Sequence, residues 1–565
     1  MGNLKPSEAK PWLKYFPKDL PTEDMAEKTL YRCVYDRNKE YKDQPTISYF
    51  GNEITYGKFF DSVKTTAAAL QKSGVKKGDV VTMCSVMLPE IIFLFYALDY
   101  IGATPNLIDP RYSTENVREY INRVESKLVV TIDAAYPRVA KSVIGTKAEK
   151  ILVVSPADSM VGMTKVIYKL TNKDKNEYKS NVVMWKDFFA SGKGTQAKEE
   201  PYDPNHVALI VYTGGTTGSP KGVMLPDKGV NSLAIQYSVN EFKRGDRFLN
   251  IIPPFVAYGF SCGIHLNLTL GIVCCVVPKF DAEKVGDLMV KYHTNHTACV
   301  PMHYQNMLKS PKLQNADLSF IVTTGCGGDA INTEAEKKVN DFLASHGCKS
   351  KLCKGWGMTE VSSTAATCTG DINKLGSVGI PLCMTTIGIF EPGTENELDY
   401  NTKGEVCICT PNRMLGYYNN PEESAKVLRK HSDGKIWVHT GDVGRMDEDG
   451  FIFIEARIKR IIIRHDGFKI FPFAIENVVA QHPDIAICSA VAMDDPEHAQ
   501  GKYPRVFIVL KDDCTKSTEQ VEKEVRELCE KNLAEYVQPY EYRFVSELPY
   551  TPTGKVDYRA LELRA

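Results

Sequence analysis

Apolar positions along the chain alternate between two rhythms. Residues 80–86, Leu128–Ile132 and residues 207–211 are short runs in which nearly every position is apolar, the pattern of strands buried on both faces. Between such runs the spacing changes to that of one helical face, as at Phe59, Phe60, Val63, Ala67 and Leu70, with Thr55 as cap and Gly74 as stop. Pro89 opens a further helix through Ala103, residues 105–108 are extended and residues 114–126 are helical. Residues 47–50 and 54–56 form a hairpin around Gly51 and Asn52. A second alternating set runs from 231 to 359, with strands at 272–278 and 320–324. Strand and helix in turn predict largely parallel sheets covered on both faces.

From Gly376 the texture shifts to short strands with Gly and Pro turns, a small β unit that ends near Arg457. Past Lys459 come a hairpin signal at Asp466 and Gly467, a helix over 472–482, strands over 486–493 and 505–510, a charged helix over 517–533 and a final loop over 550–555. The expected fold is α/β: a large N-terminal domain, 1–458, of two covered sheets plus a small β-barrel-like unit, then a small mobile α+β domain, 459–565. Residues 165–200, rich in Lys, Asn and Ser around one apolar island at 182–190, read as a solvated excursion.

Composition narrows the partners. A net charge of −1 over 565 residues leaves no overall basic field for nucleic acid or an anionic membrane, so any phosphate recognition is local. The sixteen cysteines include no C-x-x-C pair and fit reduced core residues of a cytoplasmic protein. The start has no apolar signal region, and Pro6 stands where a myristoylation signal needs Ser or Thr. The run 91–103 contains Asp99 and is too short to cross a bilayer.

Four stretches carry candidate chemistry. Residues 212–222 follow a strand and hold four glycines, with Thr213, Thr216, Thr217 and Ser219 as hydroxyl donors and Lys221 as cation, which suits a phosphate-holding loop. Because Lys221 precedes Gly222 and Val223, this is not a Walker loop. Residues 325–330 fit G-x-G-x-x-A of dinucleotide folds, but the next extended stretch, 350–354, ends in no acid to grip a ribose. Gly355-Trp356-Gly357-Met358-Thr359-Glu360 sets an aromatic plane, a hydroxyl and a carboxylate on one turn, and His439-Thr440-Gly441-Asp442 is a second polar turn.

With Arg457-Ile458-Lys459 and Pro552-Thr553-Gly554-Lys555, these stretches resemble, in order and over nearly the whole chain, the adenylate-forming superfamily of acyl-CoA synthetases, adenylation domains and luciferases. The resemblance implies that Thr213, Gly214, Gly215, Thr216, Thr217, Gly218 and Lys221 close on the ATP phosphates. Gly327, Gly328, Asp329 and Ala330 would form the adenine wall, with Trp356 stacking on the base. Thr359 would touch the α-phosphate, Glu360 would hold Mg²⁺, and Asp442 and Arg457 would bind the ribose. Lys459 matches the hinge residue, Lys555 the catalytic lysine and Gly467 the glycine beside the pantetheine channel.

The implied reaction is ATP-dependent activation of a carboxylic acid, fatty or otherwise medium to large, to an acyl-adenylate that passes to CoA. A carrier-protein phosphopantetheine thiol is the alternative acceptor, and an NAD-dependent oxidoreductase is the weaker alternative reading. Phe255, Val256, Tyr258 and Gly357 would line the acyl pocket. Val256 offers no charge for an α-ammonium, the gating histidine of many relatives is absent, and Gly357 replaces the bulky Trp of acetate-restricted relatives, leaving room. The segment 459–467 is one residue longer than the family pattern.

Overall fold

The computed structural model describes residues 4–172, 174–213, 220–466, 468–495, 498, 501–550 and 556–564. Two large sheets form its frame. One has nine strands, ordered Ile380–Pro381, Ala366–Thr367, Leu352–Trp356, Thr323–Cys326, His296–Cys299, Arg247–Asn250, Val273–Val276, Pro45–Tyr49, Asn52–Thr55. Its central pairings are parallel and both ends are antiparallel. The other has eight, ordered Gly416–Tyr417, Lys221–Pro226, Val207–Thr213, Thr104–Ile108, Val80–Cys84, Leu128–Ile132, Lys150–Val154, Val182–Met184.

The helix Pro89–Tyr100 lies between the sheets with every residue buried. Each aliphatic or aromatic side chain fully removed from water there contributes about 1.5–3 kcal/mol. Phe95 meets Phe260 edge to face at 5.0 Å, and the Tyr96 hydroxyl reaches His265 Nδ1 at 3.0 Å. Asp99 closes the helix by accepting the Leu30 and Tyr31 amides at 3.2 and 2.8 Å, at the start of the helix Leu30–Asn38. At the other end Glu90 accepts a hydrogen bond from Ser159, and burial pushes its carboxyl up to about 8.

Local signals act where expected. Thr55 caps Tyr56–Lys72 by accepting the Lys58 amide, and Ser113 caps Thr114–Arg123. Two segments differ from expectation. The island at 182–190 is no excursion: Val182–Met184 pairs with Lys150–Val154 as the last strand of its sheet, and Trp185 and Phe188 of the following helix are buried. A three-residue strand beside polar neighbours has too short a pattern to stand out. Residues 221–226 also form a strand, antiparallel to Val207–Thr213 with Thr213 opposite Lys221. The phosphate-loop segment therefore joins two neighbouring strands, unlike a Walker loop.

Residues 386–457 form a five-stranded sheet whose pairings are all antiparallel. Beyond it, Ile485–Asp494, Lys502–Leu510 and Glu541–Phe544 make a three-stranded sheet. The helices Pro472–Val479 and Thr518–Asn532 bury Ile475, Val479, Val521 and Val525 against Ala490, Val506 and Ile508. The two apolar clusters of this unit draw only on residues from 462 onward. All sixteen cysteines are free thiols, and thirteen are buried. Among the described residues, no helix is long and apolar enough to cross a membrane.

Candidate functional site

The end of Leu352–Trp356 meets the antiparallel sheet at a single carboxylate. Asp442 Oδ2 accepts Trp356 Nε1 at 2.9 Å, and Asp442 Oδ1 pairs with Arg457 Nε at 2.6 Å. Asp442 and Arg457 stand directly opposite in the ladder of Ile436–Met446 and Ile452–Arg457. The strand carrying Asp442 is displaced by an irregularity: Glu405 faces Val443 while Cys407 faces His439, so extra residues loop out between them. Gly441 sits in that excursion at φ +69°, a left-handed conformation that favours glycine.

The excursion is braced by several hydrogen bonds. Glu405 accepts Gly441 N at 3.1 Å with one oxygen and meets His439 Nδ1 at 3.0 Å with the other. Thr440 Oγ1 donates to Val406 O at 2.6 Å and accepts Asp442 N at 3.0 Å. Arg457 also donates to Thr440 O at 3.2 Å. Asp442 is thus fixed in direction before any ligand arrives.

Thr359 and Glu360 lie on a 3-10 turn, Thr359–Val361, with Thr359 half-buried and Glu360 buried. The Tyr417 hydroxyl donates to Glu360 Oε1 at 2.6 Å, and burial together with Glu360 holds that phenol well above its usual range. Tyr417 pairs with Val223, so the turn is tied to the strand that starts at Lys221. Lys221 Nζ lies 4.9 Å above the Tyr417 ring and is ion-paired with Glu423. On the other side, Tyr212 donates to Asn106 at 2.8 Å, and Arg123 Nη1 donates to Pro220 O at 2.6 Å. Thr213 and Lys221 therefore form a pinned rim.

The glycine cluster follows the strand Thr323–Cys326 and precedes the helix Thr333–Ser345, with Gly328 at φ +84°. A Cβ on Gly327 would sit 3.4 Å from Gly355 O and 3.8 Å from the Tyr258 ring, so this loop, the Trp356 strand and the acyl segment converge. Asp329 and Ala330 are exposed beside it. Tyr258 packs against the cluster of Leu233, Cys262 and Leu382, and burial holds its phenol well above the usual value. Phe255 and Val256 are half-buried, Phe255 under the Arg111 guanidinium at 5.9 Å.

Gly357 does not provide room. A Cβ there would meet Ser363 O at 2.0 Å and Thr364 Cα at 2.8 Å, so the glycine serves the close approach of two backbones. The expectation of acyl space at Gly357 is corrected on that ground.

The joint with the C-terminal unit is the 3-10 turn Ile458–Arg460, where the backbone of Lys459 lies. Arg457 is anchored on Asp442. Arg460, three residues on, donates to Glu476 at 2.9 Å and Ala490 O at 3.0 Å and stacks on Tyr558 at 3.5 Å. Tyr550 and Val556 pair as an antiparallel bridge. Burial raises the Tyr550 and Tyr558 phenols, and Asp329 adds to both shifts, so the bridge lies within electrostatic reach of the glycine cluster. Gly214, Gly215, Thr216, Thr217, Gly218, Gly467 and Lys555 lie outside the described residues.

Sequence reasoning missed Tyr417, Glu423, Glu405 and Arg460, whose partners lie 57, 202, 36 and 30 positions away. No local pattern announces such pairs, since Glu405 and Tyr417 stand in the sequence as ordinary strand residues.

The model of the AMP-binding enzyme family matches residues 34–418, and that of the AMP-binding enzyme C-terminal domain matches residues 474–555. A long-chain-fatty-acid–CoA ligase of Bacillus subtilis (strain 168) is 31% identical over 98% of this chain and 97% of its own. A 4-coumarate–CoA ligase of Humulus lupulus is 28% identical over 96% of this chain and 93% of its own. The crystal structure of ATP-bound MatB from Rhodopseudomonas palustris shares the fold, with a TM-score of 0.81 at 22% identity over 94% of this chain and 98% of that one. With this match spanning both units, the chain belongs to the AMP-binding enzyme family, in its adenylate-forming acyl-CoA synthetase branch.

Proposed function

We propose that this chain activates a fatty or other medium to large acyl acid with ATP and joins it to CoA through an acyl-adenylate. The observation that carries the reading is Asp442, fixed by Trp356 and Arg457 one step before the joint, where a nucleotide ribose and the moving unit would meet. The two relatives are named for a long-chain fatty acid and for 4-coumarate. Phe255, Val256 and Tyr258 suit an apolar acyl body, and none of them could pair an α-ammonium.

In the first step a carboxylate oxygen of the acid attacks the α-phosphorus, the bond to the bridging oxygen breaks, and pyrophosphate leaves. Two anions must meet, so the chain's task is to set cations and N–H donors where charge accumulates. Trp356 and Gly327, Gly328, Asp329 and Ala330 hold the base, and Asp442 and Arg457 hold the ribose. Thr359 touches the α-phosphate. Lys221 exchanges Glu423 for the departing phosphates, with the 213–218 segment closing over them, and Lys555 bridges the acid and the α-phosphate.

Glu360 fits a Mg²⁺ ligand: it is a buried carboxylate whose side chain, among the described residues, is held by the Tyr417 hydroxyl, and a hard cation would offset its charge. The ion would supply neutralisation of phosphate charge. In the second step the CoA sulfur attacks the acyl carbon and AMP leaves. Lys555 must withdraw for this, by rotation about Lys459 between domains 1–458 and 459–565, bringing Gly467 toward the pantetheine arm. The free buried thiols support the cytoplasm as the compartment.

The test is pyrophosphate exchange across a panel of fatty, aromatic and amino acids with Mg²⁺. Exchange with fatty or aromatic acids is expected; silence across the panel overturns the reading. Replacing CoA with a phosphopantetheinylated carrier separates the second reading, which shares every residue above.

A further inference from the structure

The helix Gly162–Thr171 joins the parallel strands Lys150–Val154 and Val182–Met184, at the opposite edge of the eight-stranded sheet from Lys221–Pro226. Its polar and apolar sides are reversed. Met163, Val166, Ile167 and Leu170 fall at the spacing of one helical face and are 72%, 52%, 54% and 67% exposed. Val161, just before the helix, is exposed as well. The residues turned toward the protein are Tyr168, which packs against the main apolar core, and Lys165, whose ammonium donates to Asp158 O at 3.2 Å. No residue of this helix is buried. A surface helix ordinarily shows the reverse arrangement, because exposing four large apolar side chains in one stripe forfeits the stabilisation that burying them would bring.

We propose that this helix docks the protein on an anionic lipid surface, with Met163, Val166, Ile167 and Leu170 entering the boundary between headgroups and acyl chains. The ten residues carry two lysines, Lys165 and Lys169, and no acid, and Lys169 borders the apolar stripe on its Val166 side. That combination of apolar face and flanking cation is the chemistry of helices that lie in a membrane interface. The stripe is a ridge about 10 Å long, made of aliphatic side chains without a hydrogen-bonding group. Such a ridge offers no fixed polar partners to another protein and suits a fluid surface. The chain as a whole, at net charge −1, has no general attraction to anionic membranes, so binding would be confined to this element.

The experiment is flotation of the full chain with vesicles of phosphatidylcholine alone and of phosphatidylcholine mixed with phosphatidylserine, at low and high salt. The wild-type chain is expected to float with the mixed vesicles, more weakly at high salt as screening weakens the lysine term. The double variant Met163→Glu with Leu170→Glu is expected to lose roughly tenfold or more of that partitioning, and Lys169→Glu a smaller part. Both positions are exposed, so unchanged thermal melting shows that the variants fold. Absence of wild-type binding to the mixed vesicles overturns the proposal, as does undiminished binding of the double variant. Self-association of the wild type in sedimentation velocity, lost in the double variant and without vesicle binding, overturns it too and assigns the stripe to a second copy of the chain.

Discussion

The two sides of the turn Ile458–Arg460 are held in different ways. On the large side, Arg457 is locked by the ladder position opposite Asp442 and by the excursion that Glu405, His439 and Thr440 brace. On the small side, Arg460 grips Glu476, Ala490 and Tyr558, all within a unit that has its own apolar core. Only Ile458 and Lys459 separate the two anchors. In the proposed reaction, the groups that would meet a nucleotide stand on a braced sheet, whereas those that would serve one half-reaction stand on a unit whose chain joins it through two residues. Such a division lets orientation change without loosening either body.

The contrast can be broken from the small side first. Lys555→Ala is expected to slow pyrophosphate exchange by about 10²–10³-fold while thioester formation from supplied acyl-adenylate changes little; equal loss of both steps would merge the two roles. On the braced side, Asp442→Ala removes partners of Trp356 and Arg457 and is expected to raise the KM for ATP by roughly 10–100-fold, read by initial rates. At the joint, Lys459→Pro restricts the backbone and is expected to slow the thioester step by about tenfold and spare adenylation. If adenylation falls as far, rotation is not what the turn provides.

Two changes test the rigid body itself. Gly357→Ala forces a Cβ onto Ser363 O and is expected to cost about 3 kcal/mol, seen as a lower melting temperature; unchanged melting with a wider acid range would restore the reading of open space. The smallest effect concerns Glu90. Its native carboxyl keeps a proton up to about 8 while the unfolded one loses it near its ordinary value of about 4.3, so the folded state binds more protons in between and stability falls as pH rises through that window. Glu90→Gln removes the titration. Its stability relative to wild type is expected to rise by about 2 kcal/mol from pH 5 to 7, measured by denaturant melts.

What the sequence reveals depends on the reach of each interaction. The strand Leu128–Ile132 and the Thr55 cap are legible because their causes lie within a few residues. The alternation that gives two covered sheets is legible for the same reason, repeated many times. Lys221–Pro226 escapes because its glycine and lysine suggest a loop, and only pairing with Val207–Thr213 makes it a strand. In the site, Trp356, Glu360, Asp442 and Arg457 could be singled out by type and order, but Tyr417 and Glu423 could not, since their purpose exists only once distant strands meet. Gly357 misleads in the opposite direction: a missing side chain reads as space, while the volume is filled by Ser363 and Thr364.

The thirteen buried thiols turn the chain into its own clock. Twelve of them precede residue 410 and one, Cys529, follows it, and none is tied in a disulfide. A thiol reagent reaches a buried sulfur only when its surroundings open, so the order in which peptides from the two bodies become labelled records which one opens first. A unit that pivots as a whole would label at its own pace, independent of the frame behind it.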